Sequence, residues 1–167
     1  MYKRQVWDYD YVAFPDDDLM LTWRDLNELF VICRQFDLQL AQPALRPSEV
    51  PISHAITQQD PEYLLRFTSF VENMAPVFSH DALLACAGSF GMSASGFGLD
   101  NVWPKLIGEP LAGMAVIDRV SMIHTRPMAS TYDLATAVAE GNEIQRRYNA
   151  TSRVLEYGGV WSQPRLR

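Results

Sequence analysis

Apolar residues come in two rhythms along this chain. Tyr11-Val12-Ala13-Phe14 is a short unbroken apolar run that stops at Pro15. Runs rich in Tyr, Val and Phe read as buried strands. Proline has no amide hydrogen to give a ladder, so the strand is expected to end there. Asp16-Asp17-Asp18 follow at once and fall on the loop past the strand's carboxyl end, the edge where open α/β sheets bind ligands. Thr22-Trp23-Arg24-Asp25 then matches a capping box. Leu26, Leu29, Phe30, Cys33 and Phe36 recur at helical spacing up to Asp37, predicting a helix. Leu38 and Leu40 alternate with Gln39 in a short strand that stops at Gln42-Pro43. Strand, helix, strand predicts a parallel α/β unit.

Arg46 to Pro61 carries Pro47, Pro51 and Pro61 among polar residues and reads as a surface loop, with His54 a solvated member. Arg66 to Val71 is aromatic and β-branched, predicting a strand with Glu72-Asn73 at its end. Ser79 is set to cap a helix carrying Leu83, Leu84, Ala87 and Phe90. Gly88, Gly91, Gly96 and Gly98 make 88–100 a flexible loop whose spacing is no dinucleotide fingerprint. Met114 to Val120 is strand-like and continues to His124-Thr125-Arg126-Pro127. Ser130-Thr131-Tyr132-Asp133 is a second capping box. Its helix shows Leu134, Ala137, Val138, Gly141 and Tyr148 on one face and Glu143 with Arg147 on the exposed side. Arg153 to Trp161 suggests a terminal strand or hairpin bent at Gly158-Gly159, and the tail to Arg167 is expected to be mobile.

A chain of 167 residues, 48% hydrophobic and 20% charged, is long enough for one domain with a real core and too apolar for disorder. We therefore read residues 1–167 as a single domain. A net charge of −6 with no basic stripe argues against nucleic acid as a partner. Cys33 and Cys86 sit in apolar helical patterns, as buried free thiols do. Met1 to Asp8 has basic residues but no apolar segment after them, so neither a signal peptide nor a membrane span is expected, and a cytoplasmic location is the default.

The acids carry the chemistry. Asp16 and Asp18 are two residues apart, so in an extended turn both point one way and can chelate a hard divalent ion, with Asp17 pointing away. The plain alternative is a polar turn. Glu72 is either part of a site or a strand-edge acid paired with a lysine or arginine. Asp100 either caps a short helix with Pro104 in its first turn or serves as a general base beside an aromatic shelf of Phe97 and Trp103. His124 is a structural histidine or a ligand. Arg126 suits a phosphate or a carboxylate.

Several stretches together resemble the family labelled domain of unknown function 707, whose plant members carry the name lysine-ketoglutarate reductase trans-splicing related. They are Trp7-Asp8-Tyr9-Asp10-Tyr11, Pro15-Asp16-Asp17-Asp18, Gln42-Pro43-Ala44-Leu45, Phe70-Val71-Glu72-Asn73-Met74-Ala75-Pro76, Gly96-Phe97-Gly98-Leu99-Asp100 with Trp103-Pro104, and His124-Thr125-Arg126-Pro127. Their order is also similar to that of a GT-A glycosyltransferase. The resemblance implies an α/β fold with a mixed, mostly parallel sheet flanked by helices. Only Met1 to Asp10 precede the aspartates, so most of the amino-terminal nucleotide-binding half is expected to be missing: either the domain is truncated or its site is completed by something else.

The same resemblance implies a metal-dependent transferase acting on a nucleotide-sugar and a sugar-containing acceptor. Mn²⁺ or Mg²⁺ would lie at Asp16, Asp18 and His124, and Asp100 or Glu72 would act as base. Asp17, Phe97, Trp103 and Arg126 would bind substrate, with Trp103 stacked on a sugar face. Two alternatives stand beside it. One is an inactive or partial glycosyltransferase-like domain that binds carbohydrate or protein, with homo-oligomerisation over the uncovered apolar surface. The other is a haloacid-dehalogenase-type phosphatase, disfavoured because Met20 stands where that family needs a hydroxyl.

Overall fold

The computed structural model of the chain describes residues 5–127, 132–151 and 153–162. Along it run β1 (Tyr11–Ala13), β2 (Leu19–Met20), α1 (Trp23–Gln35), β3 (Leu40–Leu45), β4 (Tyr63–Thr68), β5 (Val77–Ser79), α2 (His80–Cys86), α3 (Leu99–Leu106), β6 (Met114–His124), α4 (Leu134–Tyr148) and β7 (Glu156–Trp161). The α/β class holds. The capping box forms as its residues dictate: Asp25 N donates to Thr22 Oγ1 at 3.2 Å and Thr22 N to Asp25 Oδ2 at 2.8 Å. α1 ends at Phe36, with Asp37 in the left-handed region at φ 50°.

The sheet order is β1-β5-β3-β6-β4-β7, with β2 added to the far end of β6. The expected mostly parallel sheet is corrected: among the described strands β3 and β6 are the one parallel pair, and the other pairings are antiparallel. β1 and β3 do share a direction, as strand–helix–strand predicts. β5 inserts between them, antiparallel to both, and β4 does the same between β6 and β7.

Adjacent strand residues point to opposite faces, and the core divides accordingly. Leu40, Phe78 and Met114 face α2, α3 and α4, packing with Leu99, Trp103 and Ile144. Ala41, Val77 and Ala115 face α1, packing with Leu29, Ile32 and Cys33. Both cysteines are buried and unbridged.

Other boundaries move for local reasons. β4 lies three residues earlier than read, because Phe70 and Val71 leave the ladder and enter the core. Leu84, Leu134 and Val138 are exposed rather than core. Gly158-Gly159 make no bend. They lie within β7, where a Cβ on Gly159 would stand 2.4 Å from the Leu65 carbonyl, beside the stacked Tyr63 and Trp161 rings. α4 is capped by Asp133, which accepts from Thr136 N at 2.8 Å. The amino-terminal residues 1–4, Ser130-Thr131 of the second capping box and the 163–167 tail lie outside the described residues. Among the described residues no helix is long and apolar enough to cross a membrane.

Pro43 sits in a strand paired on both sides, where proline is normally confined to irregularities. The register slips at that point: Pro43 faces Ile117, but Ala44 faces Ser121. The extra β6 residues include Asp118, 1% exposed, which meets Arg66 of β4. Arg66 Nε donates to Asp118 Oδ2 at 2.9 Å, Arg66 Nη2 to Asp118 Oδ1 at 2.8 Å, and Asp60 N to the same Oδ1 at 2.8 Å. Burial pushes the Asp118 carboxyl up, and the Arg66 hydrogen bonds pull it back. Removing one partner of a buried pair leaves the other uncompensated. Asp118→Ala is therefore expected to cost about 3–5 kcal/mol in urea denaturation. An Arg66→Met/Asp118→Leu double variant is expected to recover most of that loss.

Candidate functional site

The pairing of β1 outlives its last strand residue. Phe14 N and Asp16 N donate to the carbonyls of Pro76 and Met74 at 2.9 and 2.7 Å. Pro15 falls between them, at the position whose amide would face away, so nothing is lost. On the other side of the turn Leu19 pairs with His124 in β6. Thr125 N and Oγ1 both donate to the Asp18 carbonyl, at 3.0 and 2.8 Å. The acidic turn is thus strung between the Glu72–Pro76 segment and the end of β6.

There it borders a cleft of about 440 Å³ whose lining includes Asp16, Asp18, Glu72, Asp100, His124 and Arg126. Asp18 is the inner acid. Its Oδ2 lies 3.3 Å from His124 Nε2 and accepts from Arg126 Nε at 3.1 Å, while its Oδ1 is buried with no hydrogen-bond partner among the described residues. Asp17 points to solvent and pairs with Arg126 Nη2. Asp16 stands exposed at the rim. Partial burial pushes its carboxyl up, then Asp18 and Asp17 add to the rise, with His124 and Arg126 opposing.

Glu72 and Asp100 form the floor. Glu72 is 6% exposed, its Oε2 buried without a hydrogen-bond partner among the described residues. Burial, then the charge of Asp100, lifts its carboxyl to about 7, against a hydrogen bond from Thr57. Of the two alternatives for Glu72, pairing with a lysine or arginine is not seen among the described residues; its backbone amide donates to Gln42 Oε1 at 2.5 Å. Asp100 is lifted to about 6 by burial, opposed by the Asn101 amides that donate to its Oδ1. It is not the helix cap. Gly98, at φ 82°, takes the N-cap position of α3, and Asp100 is the second helical residue.

Two readings of single residues are corrected. Trp103 is no shelf: it is 2% exposed, its ring edge-on to Phe78, and its indole N–H donates to Ser89 Oγ at 3.0 Å. Helical spacing puts Trp103 on the same inward stripe as Leu99, so its position in α3 already carried the signal. His54 is no solvated loop residue. It packs on Phe70 at 4.5 Å between centroids, lines the cleft, and is held toward its neutral form by burial. Phe97 does line the cleft, beside Tyr132.

The glycine loop is anchored rather than free. Glu140 of α4 accepts from Ala94 N at 2.7 Å, Ser95 N at 3.0 Å and Ser93 Oγ at 3.1 Å, and also from Ser95 Oγ. These bonds, the Ser95 hydroxyl's first, hold its carboxyl down at about 2. Asn73 Nδ2 donates to Gly96 O at 2.9 Å on the other side. No local signal marks Glu140 in the sequence, because its partners lie more than forty residues earlier.

Among the described residues no group of three or more His, Cys, Asp or Glu side chains is placed so that it could hold a metal ion. The donors suit a hard divalent cation in kind, being carboxylate oxygens and an imidazole, one oxygen of Asp18 lacking a hydrogen-bond partner among the described residues. Comparison of the chain with protein-family models, curated proteins and solved structures finds no match.

Two outcomes follow from the charges. A carboxyl held below its ordinary 4.5 stabilises the folded state above that pH and loses the contribution as pH falls toward 2. Protection of the Ala94 and Ser95 amides, taken as hydrogen exchange relative to the intrinsic rate at each pH, is expected to fall over that window, and Glu140→Gln to lower it already at pH 7. Glu72 has the opposite sign: a folded-state value above 4.5 means its charge opposes folding increasingly as pH rises from 4.5 to about 7, and by a constant amount above that. Glu72→Gln is expected to raise stability at pH 8 by up to about 3 kcal/mol. The gain should vanish near pH 4.5 in paired thermal melts.

Proposed function

We propose that this chain transfers a sugar from a nucleotide-sugar to a hydroxyl of a sugar-containing acceptor, and that its α/β body is a GT-A-like domain. One observation carries the reading. Asp18 and His124, 106 residues apart, meet at 3.3 Å in a cleft that also holds Asp16, Glu72, Asp100 and Arg126. The motif order that is similar to GT-A enzymes supports it.

Asp16, Asp18 and His124 are the residues that would hold Mn²⁺ or Mg²⁺, which when bound supplies positive charge against a leaving diphosphate. Arg126 adds a guanidinium beside the same acids and suits the phosphate oxygens. Asp100 is the base for the acceptor hydroxyl, with Glu72 the alternative. With its carboxyl near 6 it is ionised at neutral pH yet more basic than an ordinary aspartate. Both carboxyls owe this mainly to burial, which also keeps bulk water off the reacting groups. A second reading, carbohydrate binding without turnover, draws on Arg126, which already pairs with Asp17 and Asp18.

Calorimetric titration with Mn²⁺ tests the first step: wild type is expected to bind and Asp16→Ala/Asp18→Ala to bind far more weakly. Equal weak binding in both removes the metal site. A panel of uridine and guanosine diphosphate sugars, assayed for transfer and hydrolysis with Mn²⁺, tests the second. Asp100→Asn is expected to lose about 10²–10⁴-fold in rate. The wild-type rate is expected to fall with acidification below about pH 6 as Asp100 takes up its proton. Mn²⁺ binding with no turnover, and no nucleotide-dependent thermal shift, selects the binding module instead.

A further inference from the structure

α4 turns one face into the cleft. Val138, Gly141, Asn142 and Gln145 recur at helical spacing and all line it. This wall differs in kind from the one opposite, which carries the carboxylates. Asn142 and Gln145 are uncharged amides whose side chains make no hydrogen bond among the described residues, and each offers two N–H donors and an acceptor oxygen. Tyr132 and Val138 remain 40% and 43% exposed, and Phe97 meets Tyr132 edge-on at 5.8 Å. The wall therefore presents apolar surface at one end and two-way hydrogen bonding at the other.

The helix is held tightly against the loop that leads to Asp100. A Cβ built on Gly98 would stand 2.7 Å from the Gly141 carbonyl, so backbone meets backbone there. A ligand lying along α4 consequently ends beside Asp100, which lines the same cleft. Its chemistry is constrained from both sides. A wholly apolar ligand would take two amides out of water without satisfying them. An anion finds no cation on the α4 face among the described residues: Arg146 pairs with Glu143 on the outside, and Arg126, across the cleft, pairs with Asp17 and Asp18. A pyranose ring meets both demands, with an apolar C–H face and a rim of hydroxyls that donate and accept.

We propose that α4 reads the acceptor: Asn142 and Gln145 hydrogen-bond the hydroxyls of a glycan whose C–H face lies on Phe97 and Tyr132, turning one hydroxyl toward Asp100. Only that last step rests on the transferase reading; the recognition of a sugar by this wall does not. Asn142, Gln145 and Tyr132 are thereby specificity-determining residues.

Saturation-transfer NMR with methyl β-D-glucopyranoside, methyl β-D-galactopyranoside and methyl α-D-mannopyranoside tests it, with benzyl alcohol as the apolar control. At least one glycoside is expected to saturate, most strongly at its ring C–H protons. Asn142→Ala/Gln145→Ala is expected to weaken that glycoside at least fivefold, and Tyr132→Ser to weaken it as well. These side chains are partly or wholly exposed, so their replacement leaves the core intact. Saturation of no glycoside overturns the proposal, as does a glycoside that saturates equally in wild type and double variant. Mn²⁺ titration of the wild type separates the two readings. Glycoside saturation without Mn²⁺ binding keeps the wall and removes the transferase; Mn²⁺ binding without glycoside saturation does the reverse.

Discussion

Two antiparallel ladders run out at the same rim and hold the Pro15–Asp18 turn between them. On one side the amides of Phe14 and Asp16 are bonded to the 74–76 segment; on the other the Asp18 carbonyl is bonded to Thr125. A slip of one residue in either ladder would exchange inward and outward side chains. Asp18 would then leave the cleft and Asp17 would enter it. The residues that accompany the acids are set by the same two ladders. Glu72 precedes the segment that β1 runs against, and His124 and Arg126 follow from β6. The convergence of groups distant in sequence is thus a consequence of backbone pairing, and needs no special contact between the groups themselves.

Charge is handled in two contrasting ways in one molecule. Behind the bulge at Pro43, Arg66 and Asp118 are almost fully buried, and both Asp118 oxygens accept hydrogen bonds. That pair is satisfied and structural. In the cleft, Asp18 Oδ1 and Glu72 Oε2 are buried with no partner among the described residues, and burial together with the charge of Asp100 raises the cost of ionising Glu72. Buried acceptors left open oppose folding. Local inconsistencies of this kind are expected where a protein binds something. The comparison lies within one chain, so it does not depend on what either cluster is called.

How far the sequence could be read follows the range of the forces involved. The β1 terminus, the α1 cap and the burial of Cys33 and Cys86 rest on local rules: a missing amide, a four-residue hydrogen-bond loop, a helical stripe. The sheet's sense did not follow from local rules. β5 is three residues long and β2 two, too short for any periodicity, yet β5 takes part in two and β2 in one of the five antiparallel pairings among the described strands. His54 lay among prolines and polar residues, and only the tertiary meeting with Phe70 draws it into the cleft. The acids Asp16, Asp18, Glu72 and Asp100 were legible because each stood where an apolar stretch gave way. Glu140 stood in the middle of an amphipathic helix and offered no such break.

The cleft's division into a charged half and a neutral half comes from its two kinds of support. Apart from Asp100 on α3, the charged half is held by strands and their extensions, whose ladders fix position along the chain residue by residue. The neutral half is the face of a helix, where residues three and four apart stand together and a gradient from apolar to amide can be laid along the axis. The 91–98 loop belongs to neither and is tied to both, through Asn73 to Gly96 on the acid side and through Glu140 to Ser93, Ala94 and Ser95 on the helix side. Phe97 and the start of α3 ride on it. Where this loop enters α3, Gly98 lies against Gly141 and leaves it little room to shift.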